Sequence, residues 1–251
     1  MHISSGDPRI CMPRTSSDNK RYGYILGLQR IPYGRYGDKS TMHERPPVLL
    51  QHGLTLDAAP WLLNPPNQAL AFMLADKGFD VWLANTQGAD SSRRHRSLSA
   101  SDPAYWEWTW EQLAAYDLPA LFNYVNKQTG QKLHFVGHSL GTLTRVSTPL
   151  VRVAIQTYMA EQFYIHDLRG FPPLGQLEQT MQTVLCMHPG VECCNRMAAV
   201  TGPNCCISPS GLALYSTSTK NVVHLSQMIR SGAVSSFDYT LPLTDMQHYR
   251  R

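Results

Sequence analysis

No stretch of this 251-residue chain approaches the roughly 18 consecutive apolar residues that a membrane-spanning helix requires. Charge is also scarce: Lys, Arg, Asp and Glu make up 16% of the residues and the formal net charge is only +4. So slight an excess leaves no electrostatic footprint for nucleic acid, which is not expected as a partner. The densest basic run, Arg93-Arg94-His95-Arg96, lies in a Ser-rich stretch and reads as a solvated loop face, with anion contact as the alternative. The opening "MHISSGDPRICMPRTSSDNKRYG" lacks the apolar core of a signal peptide, so the chain as written is not expected to enter a secretory route. Outside one stretch, cysteine is almost missing. Five of the six crowd together as Cys186, Cys193, Cys194, Cys205 and Cys206. Adjacent cysteines do not give the C-x2-C spacing that holds zinc, so no metal is expected. Local disulfides are consistent with an oxidising compartment, and their pairing stays open. Internal repeats and low-complexity tracts are absent as well.

What is present is apolar texture: 43% hydrophobic residues, enough for the core of one domain of this length. "GYILGLQRIP" reads as a strand stopped by Pro32, and "VLLQHG" as a buried strand ending in glycine. "NQALAFMLADKGF" has helical spacing through Leu70, Met73 and Leu74 and closes at Gly78. "DVWLANTQG" is another buried strand. A single helix is expected from Ser101 or Asp102 to Gly130, with Pro103 in its first turn, and "LHFVG" follows as a strand. Strands alternating with helices imply a largely parallel sheet covered on both faces.

The texture changes after residue 141. Pro149 interrupts the chain, and "LVRVAIQTYMAEQF", "LGQLEQTMQTVLC" and "NVVHLSQMIRSG" read as helices. No buried strand is expected between 142 and 251. Three parts result: a divergent, poorly ordered N-terminal segment over 1–22, an α/β core over 23–149, and a helical cap-like segment over 150–251.

Gly137-His138-Ser139-Leu140-Gly141 satisfies G-x-S-x-G, with a strand before it and a helix-compatible stretch after it. A strand-to-helix turn that tight favours glycine at its flanks, lifts the serine hydroxyl out of the sheet, and aims the Leu140 N–H at a developing oxyanion. Ser139 is therefore the candidate nucleophile. His138, its immediate neighbour, is expected to point away from it. Chance matches to the pattern alone are common; the strand context removes most of them. Tyr105, Trp106, Trp108 and Trp110 read as packing at a helix start, the alternative being a lipid-facing wall.

The long blocks carry more. "GYILGLQRIPYG", "PPVLLQHGL", "NPPNQALAFMLADKGFDVWLANTQG", "SRRHRSL", "DPAYWEWTWEQLAAYDLPALFNYV", "LHFVGHSLGT" and "STSTKNVVHLSQMIRSG" resemble the acid lipases of the gastric and lysosomal type, nearest to plant triacylglycerol-lipase-like members. The resemblance implies an α/β-hydrolase fold with a helical cap. It also implies hydrolysis of carboxylic esters of neutral lipids without a cofactor, contact with a lipid surface, and a secreted or endomembrane setting. It places the oxyanion amides at Leu54, after His52-Gly53, and at Leu140.

Departures from the family are equally plain. Members carry a catalytic aspartate and a histidine beyond the "STKNVVHLSQ" helix, whereas this chain ends at Arg251, so the acid, the base and the last strands are expected to be missing. The downstream His166, His188, His224 and His248, with Asp167, Asp238 and Asp245, are poor substitutes. Asp245 and His248 keep the order Ser, Asp, His, but three residues cannot span two strand ends. Gln87 stands where members usually have arginine. Two function classes follow: a serine lipase, impaired by the loss of its acid and histidine, or a non-catalytic module that binds lipid or a partner. Acyl transfer differs from the first only in its acceptor.

Overall fold

The computed structural model describes residues 11–18, 22–35, 37, 44–142, 169–171 and 216–239. Eight strands are assigned among them: β1 (Cys11–Asp18), β2 (Tyr24–Ile31), β3 (Pro47–Gln51), β4 (Asp80–Ala84), β5 (Arg94–His95), β6 (His134–Gly137), β7 (Gly170–Phe171) and β8 (Thr217–Ser218). The helices are α1 (Leu70–Asp76), α2 (Trp110–Gln112), α3 (Leu118–Thr129) and α4 (Thr219–Ser231). The expected helices over 150–163 and 174–186 and the five clustered cysteines lie outside the described residues.

The main sheet runs β1-β2-β4-β3-β6, with β5 also on β2. β4, β3 and β6 are parallel, whereas β1, β2 and β5 join antiparallel. The parallel centre agrees with the strand–helix alternation, and the antiparallel side makes the sheet mixed. β1 falls inside residues 1–22, where the sequence suggests no element. The basic run at 93–96 contains β5 rather than forming a plain loop.

β3 and β4 are buried on both faces, so their side chains divide by the period of two. Leu49, Trp82 and Ala84 point to one face and pack with Tyr24, Tyr105, Trp106, Trp108, Leu121 and Val125. Val48, Leu50, Val81 and Leu83 point to the other, against Ala71, Phe72 and Ala75 of α1. Tyr105, Trp106 and Trp108 are thus core residues, not a wall facing lipid.

The helix expected over 101–130 is broken. Pro103–Trp106 makes a 3-10 turn, and the chain restarts at Thr109, whose side chain and Gln112 form a reciprocal capping box. A π-helical turn, Leu113–Asp117, then leads into α3, which ends at Gly130 in the left-handed region (φ 69°). Burying Trp106 and Trp108 against the sheet is incompatible with one continuous helix. α4 begins at Ser218, whose hydroxyl accepts from the Asn221 N–H and bonds the Trp106 carbonyl. Glu107 ties the same region to Arg169 at 2.8 Å and Lys220 at 3.2 Å. β7 and β8 correct the expectation of no strand beyond 142; two polar residues, Thr217 and Ser218, carry no apolar alternation to reveal β8.

Candidate active site

The parallel register pairs Gln51 of β3 with Gly137 of β6, so both strands end at the same edge of the sheet. One further rung, the His138 N–H donating to the Gln51 carbonyl at 3.0 Å, carries the ladder up to the serine. Ser139 then takes a φ of 54°. That left-handed backbone is strained for any residue with a Cβ and marks sites held by their surroundings. The Gly141 N–H donates to the His138 carbonyl at 2.9 Å and closes the 3-10 turn Ser139–Thr142. Space is tight at Gly141: a Cβ there would meet the Gln51 and His52 carbonyl oxygens at 3.1 and 3.2 Å, so a larger residue would need the β3 end to give by a few tenths of an ångström.

Gly53 faces the serine. A Cβ built on it would sit 2.8 Å from the Ser139 Cβ and 3.2 Å from His138 Nδ1. The structure therefore brings the segment carrying Leu54 against the turn carrying Ser139 and Leu140. The next residue, Thr55, has a φ of 54°, the other non-glycine with a positive φ among the described residues. The His138 ring meets Trp61 edge-on at 6.3 Å between centroids.

His52 holds this loop. Its Nε2 accepts the Thr86 N–H at 3.1 Å, which forces the ring proton onto Nδ1, where it is donated to the Gly53 carbonyl at 2.8 Å. Burial, with a smaller push from His138, lowers its pKa to about 4, so the ring is neutral at pH 7. At the far end of the loop, Asn85 Oδ1 accepts the Ala58 N–H at 3.0 Å, while its Nδ2 reaches the Gly27 carbonyl and Gln29 Oε1. Asp117, wholly buried, accepts the Gln87 N–H at 3.0 Å on Oδ2; burial raises its pKa to about 7, partly offset by that bond. Its Oδ1 and both polar atoms of the Gln87 side chain have no hydrogen-bond partner among the described residues.

Sequence reading missed His52, Asn85 and Asp117 as contributors. The available signal was a polar residue ending or interrupting each apolar run: "VLLQHG", "VWLAN", "LAAYDLPAL". Of the downstream candidates, His224 is buried in α4 between Trp110 and Phe237, with Nε2 on the Ser235 carbonyl at 2.8 Å. The Asp238 N–H is bonded to Gln227. His166, His188, His248, Asp167 and Asp245 lie outside the described residues. Among the described residues no group of three or more His, Cys, Asp or Glu side chains could hold a metal ion.

A parallel strand delivering a strained serine beside a glycine loop from the neighbouring strand is the arrangement of an α/β-hydrolase. Family models agree: residues 22–65 match a partial α/β-hydrolase lipase region, and residues 46–145 match the α/β-hydrolase fold. Triacylglycerol lipase 2 of Arabidopsis thaliana is 38% identical over 90% of this chain and 62% of its own length. Human gastric triacylglycerol lipase is 33% identical over 90% of the chain and 66% of its own, and mouse lipase member K 34% over 91% and 67%. The chain thus spans about two thirds of the length of these curated relatives. It belongs to the lipase family of α/β-hydrolases.

Proposed function

We propose that this chain hydrolyses carboxylic esters of neutral lipids, with Ser139 as the nucleophile. The observation that carries the reading is the left-handed backbone of Ser139 at the end of a parallel strand, packed against the glycine that precedes Leu54. In this reading Ser139 Oγ attacks the ester carbonyl while a histidine takes the hydroxyl proton and passes it to the leaving alcohol. The Leu54 and Leu140 N–H groups receive the oxyanion, and water then releases the acid from the acyl-serine. The chemistry needs no cofactor. The names of the relatives, triacylglycerol lipases of plant and mammal, support a triacylglycerol as substrate.

The acid and histidine of the triad are not assigned to described residues. His52 is neutral and engaged at both nitrogens, His224 is engaged at Ser235, and His138 adjoins the serine in sequence.

Hydrolysis of a tributyrin emulsion by the purified chain and by Ser139→Ala tests the reading. The Ser139-dependent part of turnover should be lost in the variant; its size is set by the base available and reaches on the order of 10³-fold only where a histidine completes the site. Equal rates in the two would overturn it. Retention of lipid by both without turnover would favour the binding-module alternative.

A further inference from the structure

Residues 85, 86 and 87 each fasten a different part of the structure, although they are consecutive. The Asn85 side chain takes the Ala58 N–H and also bonds β2 through Gly27 and Gln29. The Thr86 N–H goes to His52 Nε2, and the Gln87 N–H goes to Asp117 Oδ2. His52 and Ala58 bracket the loop that contains Gly53, Leu54 and the strained Thr55. The loop is therefore tied at both ends to one short segment, and that segment is in turn tied to Asp117.

The other features of the molecule do not demand more. The basic run at 93–96 is absorbed by β5, the Asp90–Arg93 ion pair and the three backbone bonds of His95. Glu107 is occupied by Arg169 and Lys220. Asp117 is different. A buried carboxylate that accepts a single hydrogen bond among the described residues is unfavourable in itself, and the partner there is the backbone of the segment that holds the loop.

We propose that Asp117, acting through the backbone of Asn85–Gln87 and the ring of His52, is a positioning residue that sets where the Leu54 amide stands relative to Ser139. The path is continuous and short. Oδ2 fixes the Gln87 nitrogen; the adjoining peptide unit carries the Thr86 N–H; that N–H selects the Nδ1–H tautomer of His52; and Nδ1–H fixes the carbonyl of Gly53, whose peptide nitrogen partner is Leu54. Removing the carboxylate frees the Gln87 end, lets the Thr86 N–H leave the imidazole, and releases the Gly53–Leu54 peptide. Asparagine, which still presents an amide oxygen to the Gln87 N–H, preserves the path. The role assigned to Leu54 rests on the hydrolase reading above; the mechanical coupling from Asp117 to Gly53 does not.

Nuclear magnetic resonance of the full chain tests the coupling without any turnover. In the unaltered protein at pH 7, His52 should be the neutral Nδ1–H form, with a scalar coupling across the hydrogen bond between Nε2 and the Thr86 amide nitrogen. Asp117→Ala should abolish that coupling, speed solvent exchange of the His52 Nδ1 proton about tenfold, as expected for losing one buried hydrogen bond, and broaden or split the Leu54 amide signal. The Leu83 amide in β4 serves as the control and should stay within about twofold, and Asp117→Asn should restore the His52 signature. Unchanged His52 and Leu54 signals in a folded Asp117→Ala overturn the proposal. If that variant does not fold, an Nε2–H tautomer or a missing Thr86 coupling in the unaltered chain overturns it equally. Failure of Ser139-dependent hydrolysis with these signals intact would sink the hydrolase reading and leave the coupling in place.

Discussion

Gly53 and Ser139 lie so close that a methyl group on the glycine would stand 2.8 Å from the serine Cβ. No real pair of carbons tolerates that separation, and the other nearby atoms are His138 Nδ1 and the His138 carbonyl oxygen, both at 3.2 Å. Gly53→Ala must therefore displace either the strained serine or the loop bearing Leu54. Overpacking of this kind costs about 1–3 kcal/mol of stability. If Leu54 supplies an oxyanion donor, ester turnover should also drop by about 10²-fold or more. Paired measurements of thermal unfolding and tributyrin hydrolysis check this, and a fully active Gly53→Ala would show that the close approach is incidental.

His52 and Asp117 also make a linked prediction about pH. His52 falls from its ordinary 6.5 to about 4, so it contributes stability above 6.5 that is lost as pH falls towards 4. Asp117 rises from 3.8 to about 7, so its contribution is full below 3.8 and is lost as pH rises towards 7. Between about 4 and 6.5 the two slopes oppose each other, because folding in effect moves one proton from the histidine to the aspartate. Tyr22, Tyr24 and Tyr105, which feel the charge of Asp117, stay protonated across this window because burial raises them. Relative to the parent, Asp117→Asn should gain stability with rising pH by about 1.4 kcal/mol per unit across this range. His52→Gln should lose it at the same rate. Urea unfolding at pH 4.5, 5.5 and 6.5 gives the slopes, and parallel curves for all three proteins would contradict the protonation states assigned here.

Gln87 supplies a third test. The residue is 1% exposed, yet neither Oε1 nor Nε2 of its side chain has a hydrogen-bond partner among the described residues. A buried amide in that state is unfavourable by about 1–3 kcal/mol. Gln87→Leu keeps the backbone N–H that Asp117 accepts and removes the two unsatisfied atoms. Stability should stay level or rise by about 1 kcal/mol. A loss of more than about 2 kcal/mol in urea unfolding would mean that the amide is satisfied after all.

β2, β3, β4, β6 and α1 were legible because each is an apolar run soon closed by a residue that cannot continue it, such as Pro32 after β2, Gly53 after β3 and Gly78 after α1, whereas β1, β5, β7 and β8 carry no such run. Ser139 was legible through its flanking glycines. The broken helix at 101–130 was not, since the break depends on Trp106 and Trp108 finding the sheet and on Thr109 capping the restart. His52, Asn85 and Asp117 were hidden for a related reason. Their bonds join residues 27 to 34 positions apart, and no local periodicity reports a contact of that range.

Site-resolved labelling measures most directly whether Ser139 is the residue that a carbonyl or phosphonyl centre meets at the end of β6. The full chain is incubated with a fluorophosphonate, digested, and its modified residue located by mass spectrometry, with Ser139→Ala beside it. The account predicts that the phosphonyl group is found on Ser139, at a rate set by the base available, and that Ser139→Ala carries none. No modification of the parent, or modification of a different residue that persists in Ser139→Ala, would contradict it.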